Sequence, residues 1–276
     1  MRQLGGHEYN RISFYIVAHA DDWQLFMQPN IYKDFITPRC KVVIIIVTAG
    51  DSGRSSIFWK AREEGSKSSI RYCLAPVSNL IECSGTTQFN SQHIAYSIIN
   101  NVTSYFLRLP DGNIDGCGFP EYNLQSLAQF RRNKIGSIHA VDGSAVYRSC
   151  ADLAGLLETI LIYESATFDN IQINYPNPDM VKNHGDHIDH IIVGECIQNI
   201  SIPSNSVQFL FNGYSLKSAK KMLHSAELFW KIGMFAAYEK TVYDICGYST
   251  LAEDPEIYRS WCTASANFQI LRPLPP

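Results

Sequence analysis

The sequence predicts an α/β fold: a mostly parallel sheet flanked by helices, in a single domain over residues 1–276. Three observations carry that expectation. Two continuous apolar runs, residues 12–18 (ISFYIVA) and 41–48 (KVVIIIVT), are rich in β-branched and aromatic side chains, as strands buried on both faces are. Each run is followed by a stretch of helical period, and strands alternating with helices build parallel sheets through right-handed crossovers. The 276 residues, 46% of them apolar, suffice for one large domain of this kind.

The elements follow in order. The first strand ends in His19-Ala20-Asp21-Asp22, and residues 23–35 read as a helix interrupted near Pro29. The second strand ends in Ala49-Gly50-Asp51-Ser52-Gly53, and a helix is expected over 58–74. Residues 105–109 read as a third strand leading into Pro110-Asp111-Gly112. The stretch 111–144 is polar, contains glycine and lacks period; such long loops are usually functional or disordered, and this one is expected to line a pocket. A helix over 145–163, a strand over 170–175 and a helix over 188–200 come next. A strand over 207–212 closes the set, followed by a helix over 216–238. The arrangement expected is Rossmann-like, with residues 10–200 as its core and 201–276 as a closing strand and helices.

Composition excludes several classes of function. With 23 basic and 26 acidic side chains the net charge is -3, which argues against nucleic acid as a partner. No apolar run approaches the roughly 20 residues of a membrane span. Residues 1–10 carry Arg2, His7 and Glu8 and no apolar centre, so a signal peptide is not expected and the expected location is the cytoplasm. Eight cysteines, none at C-x-x-C spacing, read as free thiols. A homo-oligomer is compatible with the sequence, which carries no signal for or against assembly.

Two constellations carry chemistry. His19-Ala20-Asp21-Asp22 leaves a buried strand at the end where open α/β sheets bind ligands. Its adjacent carboxylates repel unless a cation or proton separates them. The bland reading is a turn in which Asp caps the next helix. The second, His184-Gly185-Asp186-His187-Ile188-Asp189-His190, packs three of the eight histidines and two carboxylates into seven residues. A helix starting near Asp186 would put His187 and His190 on one face, with Asp186 as its N-cap and Asp189 in its first turn. Imidazole and carboxylate donors around an open position suit zinc or another first-row ion, and such an ion activates water. Other motifs fail: Gly116-Cys117-Gly118 is followed by Glu121 where a dinucleotide loop needs glycine, and neither a G-x-S-x-G elbow nor a Walker sequence occurs.

With these residues in place, the chain resembles the LmbE-like (PIG-L) metal-dependent de-N-acetylases. Ala18-His19-Ala20-Asp21-Asp22 is similar to that family's A-H-P-D-D, and His187-Ile188-Asp189-His190, followed by Val193-Gly194, to its H-x-D-H. Thr48-Ala49-Gly50-Asp51-Ser52-Gly53 looks like its T-x-G-E-x-G loop, Ala61-Arg62-Glu63-Glu64 like its A-R-E-E helix, and Leu109-Pro110-Asp111-Gly112 like its third strand end. Ala20 stands where the family has proline and Trp23 where it has glutamate. A second frame, His184-Gly185-Asp186-His187, also reads H-x-D-H; the later frame is preferred for the position of Val193-Gly194.

The resemblance implies roles. His19, Asp22 and His190 would hold the ion, zinc first, with iron(II) or another divalent ion as alternatives. Asp21 would be the general base, His187 the oxyanion stabiliser and proton donor, and Asp189 the residue that orients His187 and raises its pKa. Arg62 would touch substrate, and Asp111 is a further candidate for the sugar site. The reaction implied is removal of an acetyl group from a small N-acetylated amino sugar or its conjugate. The alternatives are an esterase or other amidase using the same ion, and a non-catalytic metal- or sugar-binding protein, against which the intact Asp21 speaks.

Overall fold

The computed structural model describes residues 9–76, 79–219 and 222–271 of the chain. Most of the N-terminal stretch read for a signal peptide, and two residues of the expected 216–238 helix, lie outside them. The strands of the main sheet are β1 (Arg11–Val17), β2 (Cys40–Thr48), β3 (Glu82–Phe89), β4 (Gln92–Ile99), β5 (Val102–Leu109), β8 (Ile171–Pro176), β9 (Ser206–Phe211) and β10 (Phe268–Leu271); β6 (Ile138–His139) and β7 (Val146–Tyr147) form a separate small hairpin. The helices are α1 (Asp22–Phe26), α2 (Asn30–Ile36), α3 (Ser56–Leu74), α4 (Leu127–Arg131), α5 (Cys150–Ser165), α6 (Ile188–Gln198), α7 (Ser225–Cys246), α8 (Thr250–Glu253) and α9 (Pro255–Thr263). Among the described residues, no helix is long and apolar enough to cross a membrane.

The sheet runs β10-β9-β8-β1-β2-β5-β4-β3. Its centre, β9 to β5, is parallel, and the pairings outside it, β10–β9, β5–β4 and β4–β3, are antiparallel. Alternation along the strands divides two cores. Ile12, Phe14 and Ile16 of β1 pack with Leu156, Ile160 and Ile192 on one face, and Tyr15 and Val17 pack with Trp23, Phe35 and Met234 on the other. Trp23, at the family's glutamate position, is thus a core residue whose indole N–H donates to Ser66 Oγ at 2.9 Å.

Four expectations are corrected. The hairpin β3–β4 had no signal, because β3 (ECSGTTQF) is a polar, largely exposed edge strand without an apolar run. β10 adds a strand after the set was thought closed. The helix expected from 145 starts at Cys150, since Ser149 caps it by accepting from Asp152 N at 3.1 Å while Val146 and Tyr147 pair with β6. The helix expected over 216–238 runs instead from Ser225 to Cys246, ended by Gly247 at φ 70°.

Two features set the position of the site. Gly194 lets α6 lie against β8: a Cβ there would stand 2.2 Å from the Pro176 carbonyl oxygen. The second is a pair of buried charges on α7 that hold the two ends of the α8–α9 segment. Glu239 accepts from Ser249 Oγ at 2.6 Å, from Leu251 N at 3.1 Å and from Thr250 Oγ1, at the start of α8. Lys231, fully buried, donates to the carbonyls of Trp261 (2.6 Å) and Ala264 (2.9 Å) at the end of α9. Each charge has the sign that its helix end favours.

Two predictions follow from these contacts. Gly194→Ala must push α6 off β8 and should cost about 1–3 kcal/mol, read as a lower denaturation midpoint at unchanged m. Burial pushes the Lys231 ammonium down to about 7 from its ordinary 10.5. Across that window the unfolded chain holds a proton that the folded chain has released, so this residue's contribution to stability rises with pH. The neutral amine still has two N–H groups for the two carbonyls. The unfolding free energy of wild type minus that of Lys231→Met should therefore grow from pH 7 to pH 10; a flat difference contradicts the assignment.

Candidate metal centre

β1 lies between β2 and β8, where the chain's winding direction reverses, and open α/β sheets bind ligands at the carboxyl ends of strands beside such a point. The loop after β1 carries His19, Asp21 and Asp22, and the segment after β8 leads into His187, Asp189 and His190. The loop after β5 adds Asp111, the loop after β2 adds Asp51 and Ser52, and the segment after β9 adds Tyr214. The two clusters read from sequence thus meet because their strands are neighbours.

His19 Nδ1, Asp22 Oδ1 and His190 Nε2 form a tight triangle. The two nitrogens are 3.1 Å apart, His190 Nε2 is 3.1 Å from Asp22 Oδ1, and His19 Nδ1 is 3.4 Å from it. All three side chains are buried. Ligand atoms at ordinary zinc distances around a tetrahedral ion stand about 3.3 Å apart, so the donor set and spacing fit a small divalent ion. The carboxylate is pinned by the His19 backbone N–H, which donates to Asp22 Oδ2 at 2.8 Å. The His190 ring is held from behind, its Nδ1 2.9 Å from Asp186 Oδ1, which leaves Nε2 as the atom facing the triangle. Asp186 also accepts from Tyr214 N at 2.9 Å and from Asn183 Nδ2.

The electrostatics agree with the geometry. Burial alone would lower the His19 pKa, yet Asp22 and Asp189 carry it up to about 10. Burial likewise opposes protonation of His190, and Asp186 and Asp22 hold its pKa well above the usual range. For Asp22, burial raises and the two imidazoles lower, leaving the carboxyl well below the ordinary carboxylate range. The three groups together favour positive charge among them. His19 Nε2 and Asp189 Oδ1 are buried without a hydrogen-bond partner.

The capping reading of the acidic pair is not what the side chains do. Asp21 makes no cap hydrogen bond; its Oδ1 accepts from Arg62 Nη2. Arg62 also donates from Nε to Tyr238 Oη at 2.7 Å and from Nη1 to the Gly50 carbonyl at 2.5 Å. It borders the cavity, but these bonds commit it to Asp21 and the loop. A Cβ at Gly50, whose φ is 57°, would lie 2.2 Å from Arg62 Nη1. Glu63, next to it, pairs with Arg108 at 2.7 and 2.8 Å.

α6 starts at Ile188, as expected, but its cap is not the expected one. His187, not Asp186, is its N-cap, and His187 Nδ1 accepts from Asp189 N at 3.2 Å. A neutral His187 therefore carries its proton on Nε2, which stands 3.7 Å from Asp111 Oδ1. Asp189 accepts from Gly112 N at 2.8 Å and lies nearer His19 Nε2 (3.5 Å) than His187 Nδ1 (3.8 Å). The expected raising of His187 is reversed: burial and then His19 push its pKa down to about 4, outweighing Asp189 and Asp111. His19, Asp111, His187 and Asp189 make a second, looser donor group that shares His19 with the first. His184 is exposed and belongs to neither group.

A cavity of about 370 Å³ opens over these residues. The 111–144 segment lines it only through Asp111, Asn113, Ile114 and Phe119; a further wall is made by Tyr248 and by residues of α8 and α9 up to Trp261. Sequence reasoning missed that wall, together with Asp186 as the support of His190. Only the four-residue interval between Asp186 and His190 signalled the latter.

The donor set makes a graded prediction for metal affinity, read by competition with a chelating dye. Asp22→Ala and His190→Ala should lose most of the binding. Asp186→Asn should weaken it by about 10–100-fold, and His184→Ala should leave it unchanged. Full affinity in Asp22→Ala would refute the site.

No family model and no curated protein sequence matches the chain. Among solved structures, it is similar to N,N'-diacetylchitobiose deacetylase from Pyrococcus horikoshii at 15% identity, covering 95% of this chain and 84% of that one, with a TM-score of 0.48. It is similar to teicoplanin deacetylase Orf2 at 11% identity, over 95% and 98% of the two chains, with a TM-score of 0.49. It is also similar to GalB, the 4-carboxy-2-hydroxymuconate hydratase of Pseudomonas putida KT2440, at 8% identity, over 96% and 98%, with a TM-score of 0.44.

Proposed function

We propose that this chain is a metal-dependent hydrolase that removes the acetyl group of a small N-acetylated amino sugar or its conjugate. One observation carries the reading: Asp21 and His187, a carboxylate and an imidazole N–H donor, border the same cavity as His19 and Asp22 of the metal triangle. A binding protein has use for the triangle but none for a base beside it.

His19, Asp22 and His190 would hold the ion, zinc first. When bound there, it supplies Lewis-acid polarisation of the amide carbonyl and makes water a better nucleophile near neutral pH. Asp21 is held by Arg62 through Oδ1, which leaves Oδ2 to take the proton of the attacking water. The Nε2–H of His187 faces the cavity and donates to the oxyanion of the tetrahedral intermediate. The proton on Asp21 then passes to the leaving amine, so that water and amide give acetate and a free amine. Asp111, which borders the cavity 3.7 Å from His187 Nε2, would meet the sugar, and Asp189 backs His19.

Acetate release from a panel of N-acetylated sugars by the zinc- or iron(II)-loaded protein tests the reaction. Asp21→Asn keeps shape and hydrogen bonding but is no base at neutral pH; its kcat should fall roughly 10²–10⁴-fold with metal content unchanged. Near-normal turnover in that variant would mean that another group takes the proton.

A further inference from the structure

We propose that the cavity selects N-acetylated sugars whose remainder is uncharged or cationic, and disfavours conjugates that carry phosphate or carboxylate. The inference rests on the deacetylase reading and narrows its substrate class. Five carboxylates border the cavity: Asp21, Asp22, Asp111, Glu253 and Asp254. The single lysine or arginine among the described lining residues is Arg62, and its donors go to Asp21, Tyr238 and the Gly50 carbonyl. A divalent ion held by His19, Asp22 and His190 offsets part of this charge, and the cavity stays negative. Arg54, beside the mouth, is committed too: it pairs with Glu253 at 3.1 Å and lies 3.8 Å over the Tyr248 ring. An anionic group would enter against like charges with no guanidinium or ammonium free to receive it, and such unpaired desolvation is what rejects a ligand.

The rest of the lining is of another kind. Phe58, Tyr248, Tyr258 and Trp261, with Ile114 and Phe119, offer ring faces and aliphatic surface. Amphipathic aromatics of this sort take the apolar face of a sugar or aglycone ring while leaving its hydroxyls to polar partners.

The test compares phenyl N-acetyl-β-glucosaminide with N-acetylglucosamine 6-phosphate on the zinc-loaded protein. At low ionic strength kcat/KM should favour the neutral glycoside by at least about 10-fold, and added salt should shrink that ratio by screening. Glu253→Lys, at an exposed rim position, should shift the ratio several-fold towards the phosphate. Equal or better turnover of the phosphate at low salt, or a ratio indifferent to both salt and Glu253→Lys, overturns the selection while leaving the deacetylase reading standing. Calorimetric binding of the two sugars separates the failures. Preferential binding of the neutral sugar without acetate release from either would overturn the deacetylase reading and uphold the selection; equal binding without release would overturn both.

Discussion

His19 Nδ1, Asp22 Oδ1 and His190 Nε2 sit within 3.4 Å of one another in a place that water barely reaches. Three ionisable groups so close and so buried are costly unless each is held and a cation lies among them. Much of the surrounding structure does the holding. The His19 backbone N–H fixes Asp22, Asp186 fixes the His190 ring, and Gly112 fixes Asp189 beside His19. Asp186 is itself held by Tyr214 N and Asn183, so the constraint passes from the ligands out to the segments after β8 and β9.

The winding of the sheet is what brings these groups together. The three groups come from the loop after β1, the start of α1 and the start of α6, and they meet because β1 and β8 are neighbours and α6 packs tightly on β8. The close approach depends on Gly194, whose hydrogen faces the Pro176 carbonyl. The strand ends flanking this pair supply the remaining polar groups, so the five parallel strands meet the site at one edge of the sheet.

The C-terminal segment finishes the cavity and is tied to the centre by aromatic packing. Phe26 and Tyr214 both lie against the His190 ring, at centroid distances of 5.7 and 5.4 Å, and both touch Trp261 of α9, at 5.3 and 4.6 Å. Lys231 and Glu239 hold the two ends of α8–α9 from behind. His190 is therefore braced on one side by a carboxylate and on another by residues that touch the cavity wall.

The sequence by itself determined the central strands and the ionisable residues that gather at the site. β1 and β2 are buried on both faces, which leaves unbroken β-branched runs that few other elements produce. The two ionisable clusters stood out because core packing has no need of three titratable groups in four residues or of five in seven. Tertiary structure decided the rest, for reasons that local pattern cannot carry. β3 is a polar edge strand, stabilised by its partner β4 and not by a face of its own. The start of α5 was settled when Val146 and Tyr147 found β6 to pair with. Asp186 became a support for His190, and not a cap, because β9 brought Tyr214 N within reach of its carboxylate. His187 lost its expected basicity because burial and the neighbouring His19 outweigh the carboxylates beside it. The α8–α9 wall faces the cavity because two charges on α7, buried where no local period announces them, reach its ends. The last three are contacts between residues distant in the chain, and their energy comes from desolvation and hydrogen bonding that exist only after the sheet has formed.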